Sequence, residues 1–177
     1  MSKEKFSRAI SRRAALGRLA LVSGGGLAGL ALGRGLAFGQ SQEGDLAILT
    51  AALYLEHEAI AAYQAGAESG LLSPELMAVA VAFQSDHKYH RDGITAVIRT
   101  LGGEPIEAES KYHFGRLKTA DDILKLALRL EEGAAAAYST LASNIENKDV
   151  LNFAAHVLAD EVRHVTVLKN ALGLPNY

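Results

Sequence analysis

The chain has 177 residues and a formal net charge of −2, a size typical of one domain with a short appendage. It contains no cysteine, which excludes disulfides, thiolate metal sites and cysteine nucleophiles, so any transition-metal site must use histidine and carboxylate ligands. Residues 1–39 carry seven basic residues and one acidic residue, whereas residues 40–177 carry 11 basic and 19 acidic ones, and such an acidic body argues against a nucleic-acid partner.

Residues 1–39 are predicted to be an export signal. Arg12 and Arg13 precede a modestly apolar, glycine-rich stretch, a pattern that resembles the bacterial twin-arginine signal. The glycine run and Arg34 make this stretch too weakly apolar for a membrane span, which needs roughly 20 strongly apolar residues. We expect a periplasmic or otherwise exported protein, cut ahead of Gln40. The alternatives are an uncleaved signal, which would be the only membrane attachment, and an amphipathic helix of the fold.

Residues 40–177 are predicted to form one all-α domain, because helical spacing dominates and no stretch alternates as a strand would. Capping signals place the four helices at about residues 45–69, 74–101, 120–145 and 148–172, with Ser73, Thr119 and Asn147 as N-caps. The first and third connections are short and the second is long. We therefore predict a four-helix bundle of two antiparallel hairpins joined by a long crossover.

The apolar stripe of each predicted helix is interrupted at mid-length by Glu or His. Glutamate is almost never fully buried unless it is paired or metal-bound, and these interruptions fall at one height of the bundle. They predict a metal site, with a metal-free hydrogen-bonded cluster as the alternative. Without metal, the three carboxylates are expected to have raised pKa values. The six candidate ligands are Glu56, His87, His90, Glu131, Glu161 and His164.

The two halves of the domain repeat each other. Residues 55–63 match residues 130–138 at an offset of 75, and residues 86–90 match residues 160–164 at an offset of 74. Two matches at nearly one offset indicate a duplicated helical hairpin, over about residues 45–101 and 120–172.

This pattern resembles the ferritin-like superfamily of carboxylate-bridged di-metal proteins, in which two helices supply one Glu each and the other two supply Glu-x-x-His. The Glu-x6-Tyr spacing resembles the rubrerythrin-type variant, which implies that Tyr63 and Tyr138 donate hydrogen bonds to ligand carboxylates. With the twin-arginine leader, the resemblance is to small bacterial relatives of desiccation-associated ferritin-like proteins. It covers about residues 45–172. It implies iron as the metal, with zinc or manganese as alternatives, dioxygen or peroxide as reactants, and a homo-oligomer as one possible state.

One position departs from the family pattern. The first half has His87-x-x-His90 where Glu-x-x-His is expected, so the ligand set supplies a charge of −3 instead of −4. Such a nitrogen-rich set favours single zinc, manganese, iron(II) or copper ions, or an asymmetric pair. We expect one ion to bind tightly and a second weakly or not at all, unless the adjacent Asp86 replaces the missing bridge.

Two classes of function fit the sequence. The first is a metal-dependent redox protein that protects against oxidative or drying stress. The second is a structural or partner-binding bundle in which any metal only stiffens the fold. Of the remaining candidates, His57 and Glu58 are expected between helices or in solvent, and His156 in an interface. Asp160 is expected either to orient His164 or to be an exposed acid near the start of its helix. His113, in the crossover, receives no role.

Overall fold

The computed structural model describes residues 42–145 and 147–176, and within them it contains four α-helices and no strand. The helices are α1 (Gln42–Glu68), α2 (Pro74–Thr100), α3 (Ala120–Ala142) and α4 (Lys148–Ala171). The predicted all-α class is confirmed. The predicted export signal at residues 1–39 lies outside the described residues. Among the described helices, none is long and apolar enough to cross a bilayer.

The predicted N-caps are confirmed. The Ser73 side chain accepts a hydrogen bond from the backbone N–H of Leu76, with Pro74 at the first helical position. Thr119 forms a capping box, because its hydroxyl accepts from the Asp122 backbone N–H at 3.1 Å while the Asp122 carboxylate accepts from the Thr119 N–H at 3.0 Å. Asn147 is the N-cap of α4, and its side chain accepts hydrogen bonds from two backbone N–H groups of the first turn.

Two helix boundaries differ from the sequence prediction by more than one residue. Helix α1 begins at Gln42, before the expected start at Asp45. Helix α3 ends at Ala142 instead of running to about residue 145. The side chains of Ser143 and Asn144 both donate to the Thr140 carbonyl, at 2.7 Å each. These local side-chain bonds occupy a carbonyl near the helix end and compete with a further helical turn.

The chain directions follow from the connections. Residues 69–73 and 143–147 span at most about 18 Å each, whereas the paired helices are about 35–40 Å long, so each pair is antiparallel. Tyr63 of α1 contacts Glu131 of α3 and Tyr138 of α3 contacts Glu56 of α1, so these two helices are also antiparallel. Helices α2 and α3 therefore run in the same direction. The segment 101–119 must travel the length of the bundle, as the predicted crossover requires.

The crossover runs along α1. The His57 ring nitrogen Nε2 donates to the Ile106 carbonyl at 3.2 Å, and the Tyr54 and Tyr112 rings lie 6.4 Å apart. His57 is therefore an anchor for the crossover, lying outside the interior stripe as expected.

The apolar core has two clusters, one towards each end of the bundle. The first is centred on Leu53, Ile94 and Val157, and the second contains Phe83 and Leu168. Burying side chains of this size contributes roughly 1.5–3 kcal/mol each. Along every helix, a polar residue of the predicted site lies between the segments that enter the two clusters, so apolar packing closes the site from both ends.

Candidate metal centre

The six predicted ligands meet in one layer of the bundle, here called the donor layer. Their relative exposures are all 1% or less, so the layer is closed to bulk solvent. Each helix supplies its donors from the middle of its inward face. The donor layer consists of Glu56 from α1, His87 and His90 from α2, Glu131 from α3, and Glu161 and His164 from α4.

The donor layer divides into two groups of four donors, each with its ligand atoms within 4.8 Å of one another. In the first group, Oε2 of Glu56 lies 2.8 Å from Nδ1 of His87 and 3.6 Å from Nδ1 of His90. Oε1 of Glu161 completes this group, 3.4 Å from Nδ1 of His90. We call it the first donor group.

The second donor group lies on the other side of His87. Nε2 of His87 is 3.1 Å from Oε1 of Glu131, and Nδ1 of His164 is 3.2 Å from Oε2 of Glu131. Oε2 of Glu161 lies 3.8 Å from Nδ1 of His164. Glu161 thus offers one oxygen to each group.

These separations fit the coordination of single ions. Two ligand atoms that each lie about 2.1 Å from one ion are about 3–3.4 Å apart at octahedral or tetrahedral angles. The nitrogen–oxygen distances given above for the two groups are 2.8–3.8 Å. Nδ1 of His90 and both oxygens of Glu161 are buried without a hydrogen-bond partner among the described residues. Unsatisfied buried polar atoms are costly, so these three atoms mark where an ion fits.

Two tyrosines each donate a hydrogen bond to a glutamate of the opposite hairpin that belongs to only one donor group. The Tyr63 hydroxyl of α1 donates to Oε1 of Glu131 on α3, and the Tyr138 hydroxyl of α3 donates to Oε1 of Glu56 on α1. Burial, reinforced by the neighbouring carboxylate, raises the pKa of both phenols, which therefore remain protonated donors. Both tyrosines contact a candidate ligand carboxylate, as the family resemblance implies.

Two aspartates outside the layer orient His90 and His164, the two histidines that each belong to only one donor group. Nε2 of His90 donates to Asp160 at 3.2 Å, and Nε2 of His164 donates to Asp86 at 3.1 Å. Each bond fixes the ring so that Nδ1 faces the donor layer, an arrangement that orients metal-binding histidines in many proteins. Asp160 is an orienting carboxylate, but for His90 and not for His164, because the pairing crosses between the hairpins. Asp86 lies outside the layer, where it accepts hydrogen bonds from His164 and Arg163.

Arg163 completes this outer arrangement, and the sequence analysis assigned it no role. One guanidinium nitrogen donates to Asp86 at 2.8 Å and to Asp160 at 2.9 Å. A single cation thus joins the two carboxylates that hold the two terminal histidines. The repeat itself carried a signal for the aspartates, because Asp86 and Asp160 occupy matching positions, each directly before an interior donor.

The ionisable groups of the donor layer differ in the direction of their pKa shifts. Burial, together with the nearby Glu131 carboxylate, raises the pKa of Glu161 to about 11. Burial opposes a charge on His87, but hydrogen bonds to Glu131 and Glu56 outweigh it and raise the His87 pKa to about 10. Burial also opposes the Glu56 and Glu131 charges, yet contacts that include His87 hold both pKa values below the usual range. The expectation of three raised carboxyl pKa values was therefore wrong for two of them.

The remaining histidines lie outside the donor layer. His113 in the crossover and His156 on α4 are exposed, and neither belongs to a group of candidate metal donors among the described residues. Glu58 is half-buried beside the stripe, and burial raises its pKa.

Comparison with known proteins gives the same picture at the level of the fold. A family model described as "Ferritin-like domain" matches residues 44–174. The chain is similar to the crystal structure of a conserved hypothetical protein from Mycobacterium tuberculosis, with 26% identity, a TM-score of 0.70, and coverage of 75% of this chain and 94% of that chain. It shares its fold with a ferritin-like, diiron-carboxylate protein from Bacillus anthracis, with 20% identity, a TM-score of 0.64, and coverage of 74% and 96%. No curated protein matches the sequence significantly.

Proposed function

The chain belongs to the ferritin-like domain family, and from this premise we propose that it binds one or two transition-metal ions in the donor layer. The observation that carries the proposal is the set of orphaned atoms, Nδ1 of His90 and both oxygens of Glu161, buried at single-ion spacing from the other donors. A layer that only filled space would not leave a carboxylate with two unsatisfied oxygens.

Iron is the metal that we propose first. The family resemblance favours it, and one protein with the same fold is described as a diiron-carboxylate protein. Zinc or manganese are the alternatives, because three imidazoles and three carboxylates also suit these ions.

We propose a redox role for the loaded site, with dioxygen or peroxide as the reactant and protection against oxidative or drying stress as the purpose. A bound iron ion would supply one-electron chemistry. The protein would supply terminal ligands held by Tyr63 and Tyr138, imidazoles oriented by Asp86 and Asp160, and apolar packing that limits water. A proton on Glu161 must leave before its carboxylate can bind an ion.

Metal analysis followed by reaction kinetics tests this function. Protein made with its own leader should contain at least one transition-metal ion per chain. The iron(II)-loaded protein should be oxidised by dioxygen or peroxide faster than iron(II) in buffer, as followed by optical absorption. Stoichiometric zinc without such reactivity, or no metal, would contradict the redox role and favour the alternative of a structural or partner-binding bundle.

Export through the twin-arginine route is a separate proposal, supported by Arg12 and Arg13 ahead of a weakly apolar stretch. Replacing both arginines with lysine should retain the protein in the cytoplasm with its leader intact. Cell fractionation of the wild type and the double variant measures this, and periplasmic delivery of the variant would contradict the assignment.

A further inference from the structure

His87 differs from the other two histidines of the donor layer in what its ring nitrogens face. His90 and His164 each donate Nε2–H to an aspartate outside the layer, so each has only Nδ1 for the layer. His87 has Nδ1 at 2.8 Å from Oε2 of Glu56 and Nε2 at 3.1 Å from Oε1 of Glu131. Both nitrogens of His87 therefore lie inside the donor layer.

The two nitrogens of His87 belong to different donor groups. Nδ1 faces the first group, where Oε1 of Glu161 is 3.8 Å away. Nε2 faces the second group, which contains Glu131 and His164. Glu161 is divided in the same way, with Oε1 in the first group and Oε2 in the second. The layer thus has two residues with one donor atom for each group.

We propose that His87 bridges two divalent ions as an imidazolate, with Nδ1 bound to one ion and Nε2 to the other. This role rests on the proposed metal binding and extends it. On loading, two nitrogen–metal bonds would form, the N–H protons that the ring carries would leave to solvent, and no electron is transferred. Proton release accompanies metal binding wherever a ligand must be deprotonated.

Charge balance supports the bridge. Glu56, Glu131 and Glu161 supply −3, which leaves two divalent ions with an uncompensated positive charge in a layer exposed by 1% or less. An uncompensated buried charge is strongly disfavoured. Imidazolate at His87 brings the ligand total to −4, the same as four carboxylates. The substitution of His for Glu at this position therefore keeps both the bridge and the charge.

The surrounding rings hold His87 in this orientation. The Tyr63 ring stacks against it at 5.5 Å, and the rings of His164 and His90 lie at 5.4 and 5.8 Å. A ring packed on several sides turns only if its neighbours also move. The imidazole is therefore kept with one nitrogen towards each donor group.

The bridge has a distance signature. Two ions bound through opposite nitrogens of one imidazole, with metal–nitrogen bonds of about 2.0–2.1 Å, are separated by about 6 Å. Two ions in a site bridged by carboxylate or oxygen are about 3.5–4 Å apart.

A crystal structure of the zinc-loaded protein with anomalous diffraction decides between these arrangements. The proposal predicts two zinc peaks about 6 Å apart, one on each side of the His87 ring. Two peaks at about 3.5–4 Å, or a single peak in the layer, would overturn the bridge and leave the metal site standing. No peak in the layer at saturating zinc would overturn the proposed function as well.

A solution measurement covers variants that do not crystallise. With two equivalents of copper(II), the wild type should lose most of its electron paramagnetic resonance signal, because an imidazolate couples the two spins. His87→Gln should show two uncoupled signals, and its metal uptake should release fewer protons per chain. His156→Gln serves as the matched control, because it removes an exposed imidazole of α4 and leaves all six donors in place, so its signal should be lost as in the wild type. Equal coupling in wild type and His87→Gln would assign the coupling to Glu161 and overturn the proposal.

Discussion

The first hairpin, α1 and α2, and the second hairpin, α3 and α4, contribute to the donor layer almost identically. Each supplies a glutamate from its first helix and a tyrosine seven residues later, and each tyrosine donates to the glutamate of the other hairpin. Each also supplies a terminal histidine held by an aspartate of the other hairpin. Neither hairpin therefore completes its own ligands, and the layer forms only when both pack together.

Among the six donors, the hairpins differ at one position of the repeat, where the first has His87 and the second has Glu161. Both residues reach both donor groups, but they carry opposite charge tendencies: the raised pKa of His87 favours a cation, and the raised pKa of Glu161 favours a neutral acid. Both positions therefore offer two donor atoms in two directions, one to each donor group.

The largest effect is expected from Glu161→Gln, which removes the carboxylate shared by both groups. Metal affinity should fall by more than about 100-fold, beyond the loss caused by outer partners of ligands. The stabilisation of about 2.7 kcal/mol at a hundredfold excess of metal over its dissociation constant should vanish. Titration calorimetry and thermal melting measure both quantities.

The matched control for this variant is Glu132→Gln, on the solvent side of α3, where Glu132 is half-exposed and pairs with Lys169 at 3.2 Å. It should retain wild-type metal affinity. Wild-type affinity in Glu161→Gln would show that the shared carboxylate is not a ligand.

The next effect is the dependence of the melting temperature of chelator-treated protein on pH. The folded-state pKa values of His87 and Glu161 are raised to about 10 and about 11, so their contribution to stability is present at low pH and is lost as pH rises. Glu56 and Glu131 have lowered pKa values, so theirs is lost as pH falls below about 4.5. The melting temperature should therefore be highest between about pH 4.5 and 6.5. A maximum above pH 8 would contradict these charge assignments.

The outer aspartates test the crossed pairing. Asp86→Asn should weaken the second donor group through His164, and Asp160→Asn should weaken the first through His90, each by about 10–100-fold in affinity. Calorimetric titration with zinc measures the losses, and a crystal structure of each loaded variant identifies the weakened group. If each aspartate instead affected the histidine of its own hairpin, the crossed geometry would be wrong.

The smallest effect is expected from Gly133→Ala, in α3 at the position that matches Glu58 of α1. An added Cβ meets nothing within 4 Å, so alanine should stabilise the helix by about 0.5–1 kcal/mol. Gly93→Ala is the contrasting variant, because its Cβ would lie 2.5 Å from the Phe153 ring and should destabilise the fold. Chemical denaturation measures both, and a loss of stability in Gly133→Ala would contradict the prediction.

Local signals in the sequence were sufficient for much of the fold. Ser73, Thr119 and Asn147 each bond to backbone N–H groups two or three residues away, so the caps depend on nothing distant. The inward positions of the donor layer followed from helical periodicity, since Glu and His interrupt apolar stripes.

Contacts between hairpins were not accessible from the sequence. Whether Asp160 meets His90 or His164 depends on how α2 and α4 are placed against each other, and no spacing within one helix fixes that. The prediction that the pKa values of Glu56 and Glu131 are raised was wrong for the same reason. It depends on His87 reaching both carboxylates, at 2.8 and 3.1 Å, and residue type alone does not report such distances.

Metal binding by the donor layer is the central claim, and titration of the chelator-treated protein tests it most directly. Zinc or anaerobic iron(II) should bind at one or two ions per chain, and the melting temperature should rise with saturation across pH 5–8. Proton release should accompany each binding step. If no heat of binding is measured and the melting temperature does not move at any pH in this range, the donor layer is a buried hydrogen-bonded cluster and does not bind metal.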